Sequence, residues 1–296
     1  MKHSIQLLCA FVFAAVSGLS AQTLKVPAPS PLQTLKQNFA LSDISIEYSR
    51  PSAKGRVVFG DLVAYGKVWR TGANGATKIT FGEDVKVRGV KVPAGAYALY
   101  TVPGKDSFQV MLYKDLKLGG DVASYNKANE QLSFYVKTGK QTEKVETFTI
   151  NVASITASSA NIELSWENTV VTFDVVADID AAIMANIDAA INKDSRPYYQ
   201  AASYYYENGK DLNTALTWVT KATEQNPKAY WVMLLKAKIE NKLNDTAAAI
   251  VSANKVIAMA TEGKNADYVK MGEDLIKTIR KPAAIAPATE PKKKKK

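Results

Sequence analysis

The sequence predicts an α+β protein in two segregated domains, an all-β antiparallel sandwich or jelly-roll-like unit followed by an all-α helical repeat. Three observations carry this. From about residue 38 to 176, apolar residues alternate with polar ones at a period of two. No helical segment separates most of these runs, which argues against a parallel α/β sheet. At Asp178 the period changes, and Ile179, Ile183, Ile187 and Ile191 recur every four residues, as on an amphipathic helix.

Residues 22–37 contain Pro27, Pro29 and Pro31 and read as an extended lead-in. The strands of the 38–176 domain follow. Ile44, Ile46 and Tyr48 mark the first, then Ile79 with Phe81, and then Phe108, Val110 and Leu112. Leu132, Phe134 and Val136 come next, followed by Phe148, Ile150 and Val152. The last two sets are Ile162, Leu164 and Trp166, and Val171, Phe173 and Val175. Each set turns one apolar face toward a core. Turn signals stand at Pro93-Ala94-Gly95, at Pro103 to Asp106 and at Glu167-Asn168.

The 178–280 domain reads as a helix at 178–192 that Asp178 can cap, then helices at about 196–208, 211–225, 228–243, 245–261 and 264–279. Tyr199, Tyr206, Ala215, Ala222 and Pro227 fit the spacing of a tetratricopeptide unit, and a 34-residue shift places Met233, Glu240, Ala249 and Val256 on the same positions. The segment 196–261 thus resembles two tetratricopeptide repeats, the second degenerate; an unrelated helical bundle is the alternative. Residues 281–296, KPAAIAPATEPKKKKK, read as a disordered tail.

The amino terminus narrows the chemistry. Lys2 and His3 precede the apolar run Ile5 to Val16 and the small residues Ser17 to Ala21, the pattern of a secretory signal peptide over residues 1–21. An uncleaved anchor is the alternative. Cleavage removes Cys9 and His3, the chain's one cysteine and one histidine. The exported chain then has no disulfide, no thiolate nucleophile, no His proton shuttle and no Cys/His zinc site. Carboxylate, lysine, tyrosine or Ser–Lys chemistry remains, with oxygen-ligand metals. No cofactor or metal site is expected and no catalytic residue is singled out. Asp61, Glu83, Asp84, Glu163 and Glu167 are available to a hydrolase, but their spacing selects no pair. After cleavage 37 cations face 28 acids, and the tail alone contributes +5 of that excess. The body is therefore only weakly basic, and a nucleic-acid partner is not expected.

Residues 50–75, RPSAKGRVVFGDLVAYGKVWRTGANG, break the alternation with five glycines and five cations against one acid, Asp61. Two readings stand. In one, the glycines permit a long connection whose apolar residues pack beneath it while its arginines bind carbonyls. In the other, Lys54, Arg56, Tyr65, Trp69, Arg70 and Asn74 form a ligand site, with cations for carboxylate or phosphate and aromatic faces for sugars.

The motifs Arg50 to Arg56, Phe59 to Leu62, Tyr65 to Asn74, Val92 to Tyr97 and Leu164 to Trp166 make residues 28–176 similar to domain-of-unknown-function family 2911. Leu118 to Glu130 departs from that family's tryptophan-rich pattern. The resemblance implies an all-β domain in an exported protein of Bacteroidetes or relatives, and no established activity.

The expected function is an exported, non-enzymatic binding or scaffold protein of the cell envelope, periplasmic, extracellular or outer-membrane associated. Its helical repeat would take a protein or peptide partner through a groove containing Tyr199, Tyr206 and Trp231. Its β domain would bind an anionic or glycan ligand. A carbohydrate-binding module and a carboxylate-dependent hydrolase are the alternatives. The Lys292 to Lys296 run is a solvated end or an adhesive for an anionic surface.

Overall fold

A computed structural model describes residues 26–191 and 197–280. The chain divides into two compact units on either side of the Ile179/Asp180 bond. Residues 1–21, read above as a signal peptide, and the Lys292–Lys296 run lie outside the described residues.

Among the described residues the β unit contains nine strands: β1 (Leu32–Phe39), β2 (Ser42–Ser49), β3 (Ala73–Phe81), β4 (Val85–Val87), β5 (Val90–Val92), β6 (Gly95–Val102), β7 (Ser107–Tyr113), β8 (Glu130–Ala153) and β9 (Ser159–Ala177). They run in the order β1-β2-β3-β6-β7-β8-β9-β4-β5. Every paired neighbour is antiparallel. The long β8 makes the fold two-layered. Its Glu130–Lys137 half pairs with β7, and its Thr138–Ala153 half pairs with β9. The two halves of the sheet close on each other around residues that alternation marks as inward. Tyr48, Ile79, Phe108, Phe148, Leu164, Trp166 and Phe173 are all buried. A polar tie crosses the core: the Tyr48 hydroxyl donates to the Ile150 carbonyl at 3.2 Å and accepts from its N–H at 2.9 Å.

Three differences from the sequence reading have physical causes. Part of the expected lead-in is β1, an edge strand whose partly exposed faces leave no apolar alternation to read. Glu167-Asn168 is not a turn but an irregularity inside β9, with Glu167 at φ 50° and a register shift opposite it. The polar run Lys137 to Thr147 is no break either, because β8 continues through it.

The helical unit contains α1 (Asp180–Ile191), α2 (Tyr198–Glu207), α3 (Leu212–Gln225), α4 (Tyr230–Lys242), α5 (Thr246–Glu262) and α6 (Ala266–Arg280). Asp211 caps α3 by accepting from the N–H groups of Asn213 and Thr214, and Asp245 caps α5 by accepting from Ala248. Ala215 and Ala249, each four residues beyond its cap, are fully buried and allow the paired helices to approach closely. Helix α1 starts at Asp180 rather than at Asp178, whose carboxylate lies 3.4 Å from Lys86 Nζ.

Asp180 is the polar hub of the α1–α2 corner. It accepts from Lys210 Nζ at 2.7 Å and from the Tyr204 hydroxyl at 2.6 Å. The Lys210 hydrogen bond, and then that of Tyr204, hold its carboxyl below the ordinary aspartate range. A depressed carboxyl stabilises the fold above about pH 4, and that stabilisation is lost as pH falls through the folded value. Asp180→Asn should therefore weaken the helical unit at neutral pH and flatten the acid limb of its melting temperature followed by circular dichroism. Acid limbs that coincide for both proteins would contradict the assignment.

Candidate functional site

The glycine- and cation-rich stretch crosses the β unit between β2 and β3, and pairing holds its first part to the sheet. Ala53 N–H donates to the Glu146 carbonyl at 2.8 Å, and Phe148 N–H donates to the Pro51 carbonyl at 2.8 Å. Arg50 is spent on the same edge, donating to the Phe148 carbonyl and the Thr149 hydroxyl. The chain then turns through Lys54 (φ 51°) and Gly55 (φ 75°).

The middle of the crossing is a tight turn tied to itself. Gly60 N–H donates to the Val63 carbonyl, and Val63 N–H to that of Val58, both at 2.8 Å. Gly60 is at φ 102°, and a β-carbon there would lie 2.6 Å from the Tyr65 ring. The turn is anchored by aromatics. Phe59 meets Phe108 at 5.0 Å, Trp69 at 5.9 Å and Trp166 at 6.2 Å, each edge-on. Trp69 stacks on Trp166 at 5.8 Å and bridges to β6 through paired hydrogen bonds with Thr101.

A cleft of about 420 Å³ lies beside this anchoring, with Trp69 and Trp166 in its wall. Its polar lining comes from Ser30, Arg56, Lys67, Arg70 and Asn74, and its apolar lining from Leu62, Val63, Val68, Trp69 and Trp166 among others. Among the described residues, three cations line it and no carboxylate does. Each arginine is oriented by carbonyls. Arg56 donates through Nε to Ala53 and through Nη2 to Ser52, both at 2.9 Å, and Arg70 donates through Nη1 to Asn74 at 2.6 Å. Asn74 is itself held by bonds from its Nδ2 to the Ser49 hydroxyl and the Ser30 carbonyl. These carbonyl bonds match the reading of the stretch as a self-supporting connection, and they use only some of the guanidinium donors. Three cations lining one cleft, with no carboxylate among its described lining residues, favour an anion there.

The second support lies behind Arg70. Tyr100, Tyr113 and Tyr125 form a ring cluster at 4.7–5.4 Å. Over it folds the segment containing three short 3-10 turns between Leu116 and Asn129. Burial, helped by Tyr113 and Asp115, pushes the Tyr100 hydroxyl up to about 12, and it stays a neutral donor to the Gly119 carbonyl at 2.7 Å. Burial, reinforced by its bond to Glu130, raises Tyr125 as well. The cluster brings Gly120 so close that a β-carbon there would sit 2.5 Å from Arg70 Nη1 and 2.6 Å from the Asn74 carbonyl.

The sequence-derived site residues divide. Arg56, Trp69, Arg70 and Asn74 line the cleft; Lys54 and Tyr65 are not part of its wall. The Lys54 N–H donates to Glu146 Oε1, and its side chain is exposed. Tyr65 covers Gly60. Trp69 is only 9% exposed and its indole N–H donates to the Gly72 carbonyl, so its face is not a platform for a sugar. Lys67 is a lining cation that the sequence reading left out of the site; it stands three residues before Arg70, across the buried Trp69.

Of the helical candidates, Tyr199 and Tyr206 pack against the helical core, with Lys242 Nζ 5.0 Å above the Tyr206 ring, while Trp231 is 39% exposed and edge-on to Tyr230. The carboxylates considered for hydrolysis are engaged elsewhere in three cases. Glu83 accepts from Leu41 N–H, Asp84 accepts from Ala94 N–H and pairs with Lys91, and Glu167 accepts from Val58 N–H.

Residues 30–175 match the model of the DUF2911 family, described as a protein of unknown function. No significant match was found among curated proteins or among solved structures. The DUF2911 region contains every residue that lines the cleft, from Ser30 to Trp166.

Gly120→Ala tests the coupling behind Arg70. The added methyl would meet the Asn74 backbone as well as the guanidinium, so the Arg70–Asn74 bond must break. The expected cost is about 1–3 kcal/mol of stability, with the Arg70 Nε resonance displaced. Unchanged melting and an unmoved resonance would show that the close approach constrains nothing.

Proposed function

We propose that this is a binding protein of the cell envelope whose β domain captures an anionic group, a phosphate or a carboxylate, in the Arg56–Lys67–Arg70 cleft. One observation carries the reading: three cations line a single cleft without a carboxylate among its lining residues. Arg56 and Arg70 are oriented by backbone carbonyls before any ligand arrives, which reduces the ordering cost of binding. Burial of Trp69 and Trp166 favours charge recognition over sugar stacking. Export is supported by the Lys2–Ala21 pattern.

The helical unit is read as tetratricopeptide-like and as the site of a peptide or protein partner. The 34-residue spacing of the capping Asp211 and Asp245, and of the buried Ala215 and Ala249, supports this. Exposed Trp231 is the anchor we assign to that partner.

Calorimetric titration of the full chain with inorganic phosphate at low ionic strength tests the cleft. Saturable binding that weakens with added salt is expected, and Arg56→Ala or Lys67→Ala should lower affinity about tenfold each. Absence of saturable binding, or an affinity in both variants unchanged from that of the parent protein, would remove the assignment.

A further inference from the structure

The same crossing carries an apolar feature that its own packing does not use. Val57, Leu62 and Tyr65 are 61%, 41% and 39% exposed. The inward residues of the turn, Val58, Phe59 and Val63, already fill the space beneath it. The three outward side chains therefore add little to the stability of the β unit. Leu62 N–H donates to the Val57 carbonyl at 3.2 Å, which sets the two backbones side by side, and the Tyr65 ring lies over Gly60. The turn is a rigid apolar tip, with its backbone tied by Gly60–Val63 and Val63–Val58 hydrogen bonds. Other exposed large apolar residues of the unit, such as Leu41, Val90, Tyr135 and Ile155, stand apart from one another along the chain.

Charge surrounds this tip. Lys54 and Arg56 precede it, Lys67 and Arg70 follow it, and Asp61 is the one acid between residues 50 and 75. Leu62 belongs both to the exposed tip and to the wall of the cationic cleft. Aliphatic side chains and a tyrosine flanked by lysine and arginine match the layers of an anionic membrane surface, where apolar groups enter the acyl boundary and cations stay among the phosphates.

We propose that the Val57–Tyr65 tip seats the β domain on an anionic bilayer, with the adjoining cleft taking a lipid phosphate. This rests on the anion-binding reading of the cleft and adds the source of the anion. The apolar tip gives affinity for the bilayer itself, and each cation near a charged leaflet adds roughly fivefold.

The test compares the full chain with Val57→Ser and Val57→Trp, since residue 57 is not among the residues lining the cleft. All three proteins share the Ile5 to Val16 run and the Lys292 to Lys296 run, so differences between them belong to the tip. Co-sedimentation uses phosphatidylglycerol vesicles and phosphatidylcholine vesicles, and each protein is also titrated with inorganic phosphate. The expected result is preference for phosphatidylglycerol, with roughly threefold or greater loss in Val57→Ser and a comparable gain in Val57→Trp. Brominated acyl chains should quench the new tryptophan, and phosphate affinity should be equal in all three. Phosphate binding with equal vesicle partitioning of the three proteins would overturn the membrane proposal and leave the cleft standing. Vesicle binding that tracks residue 57 without phosphate binding would support the tip and overturn the cleft. An unquenched Trp at position 57 would overturn insertion.

Discussion

The β domain depends on the seating of Trp69. Its ring stacks on Trp166 and meets Phe59 and Phe148, its indole N–H is satisfied by Gly72, and its backbone pairs with Thr101. Removing such a ring from a core costs about 3–5 kcal/mol, a large share of the roughly 5–15 kcal/mol margin of an ordinary domain. Buried Trp69 forms part of the cleft wall, and its neighbours Lys67, Val68 and Arg70 line the cleft beside it. The attachment of the crossing to the sandwich thus fixes the place of the cationic rim. A chain built only to connect β2 to β3 would satisfy its backbone in the same way; the convergence of three cations is what such a connection does not require.

The rest of the site is support. Pairing of residues 51–53 with β8 fixes where Arg56 starts, and the Ala53 and Ser52 carbonyls fix where it ends. On the far side, Tyr100, Tyr113 and Tyr125 anchor the segment that presses Gly120 against Arg70. These two supports come from positions far apart in the chain. Arginines already oriented by carbonyls suit the proposed capture of a small charged group more than enclosure of a large one.

Most of the fold was legible because burial on one face writes a period into the chain. Ile44 to Tyr48, Phe108 to Leu112 and Ile162 to Trp166 are strands with one buried face, and all six helices could be read from their punctuation. The elements that escaped lack that signal. Strand β1 lies at an edge, β4 and β5 span three residues each, and β8 passes through a polar stretch where its faces are solvated. The site was legible only in part. Residue type pointed to Arg56 and Arg70, but the burial of Trp69 and the place of Lys67 depend on the Trp69–Thr101 bridge, a contact across 32 residues that no local pattern encodes. Glu240 is a similar case in the helical unit: a 34-residue shift equates it with Tyr206, yet it is buried and paired with Lys236.

Amide hydrogen exchange on the native protein probes the central claim that the 50–72 crossing is part of the core rather than a loose connection. The Gly60, Val63 and Trp69 amides donate to Val63, Val58 and Thr101. They should exchange as slowly as that of Ile79 in the buried β3, through global unfolding alone. Exchange at the rate of an open loop, while Ile79 stays protected, would contradict a rim held in place by the sandwich.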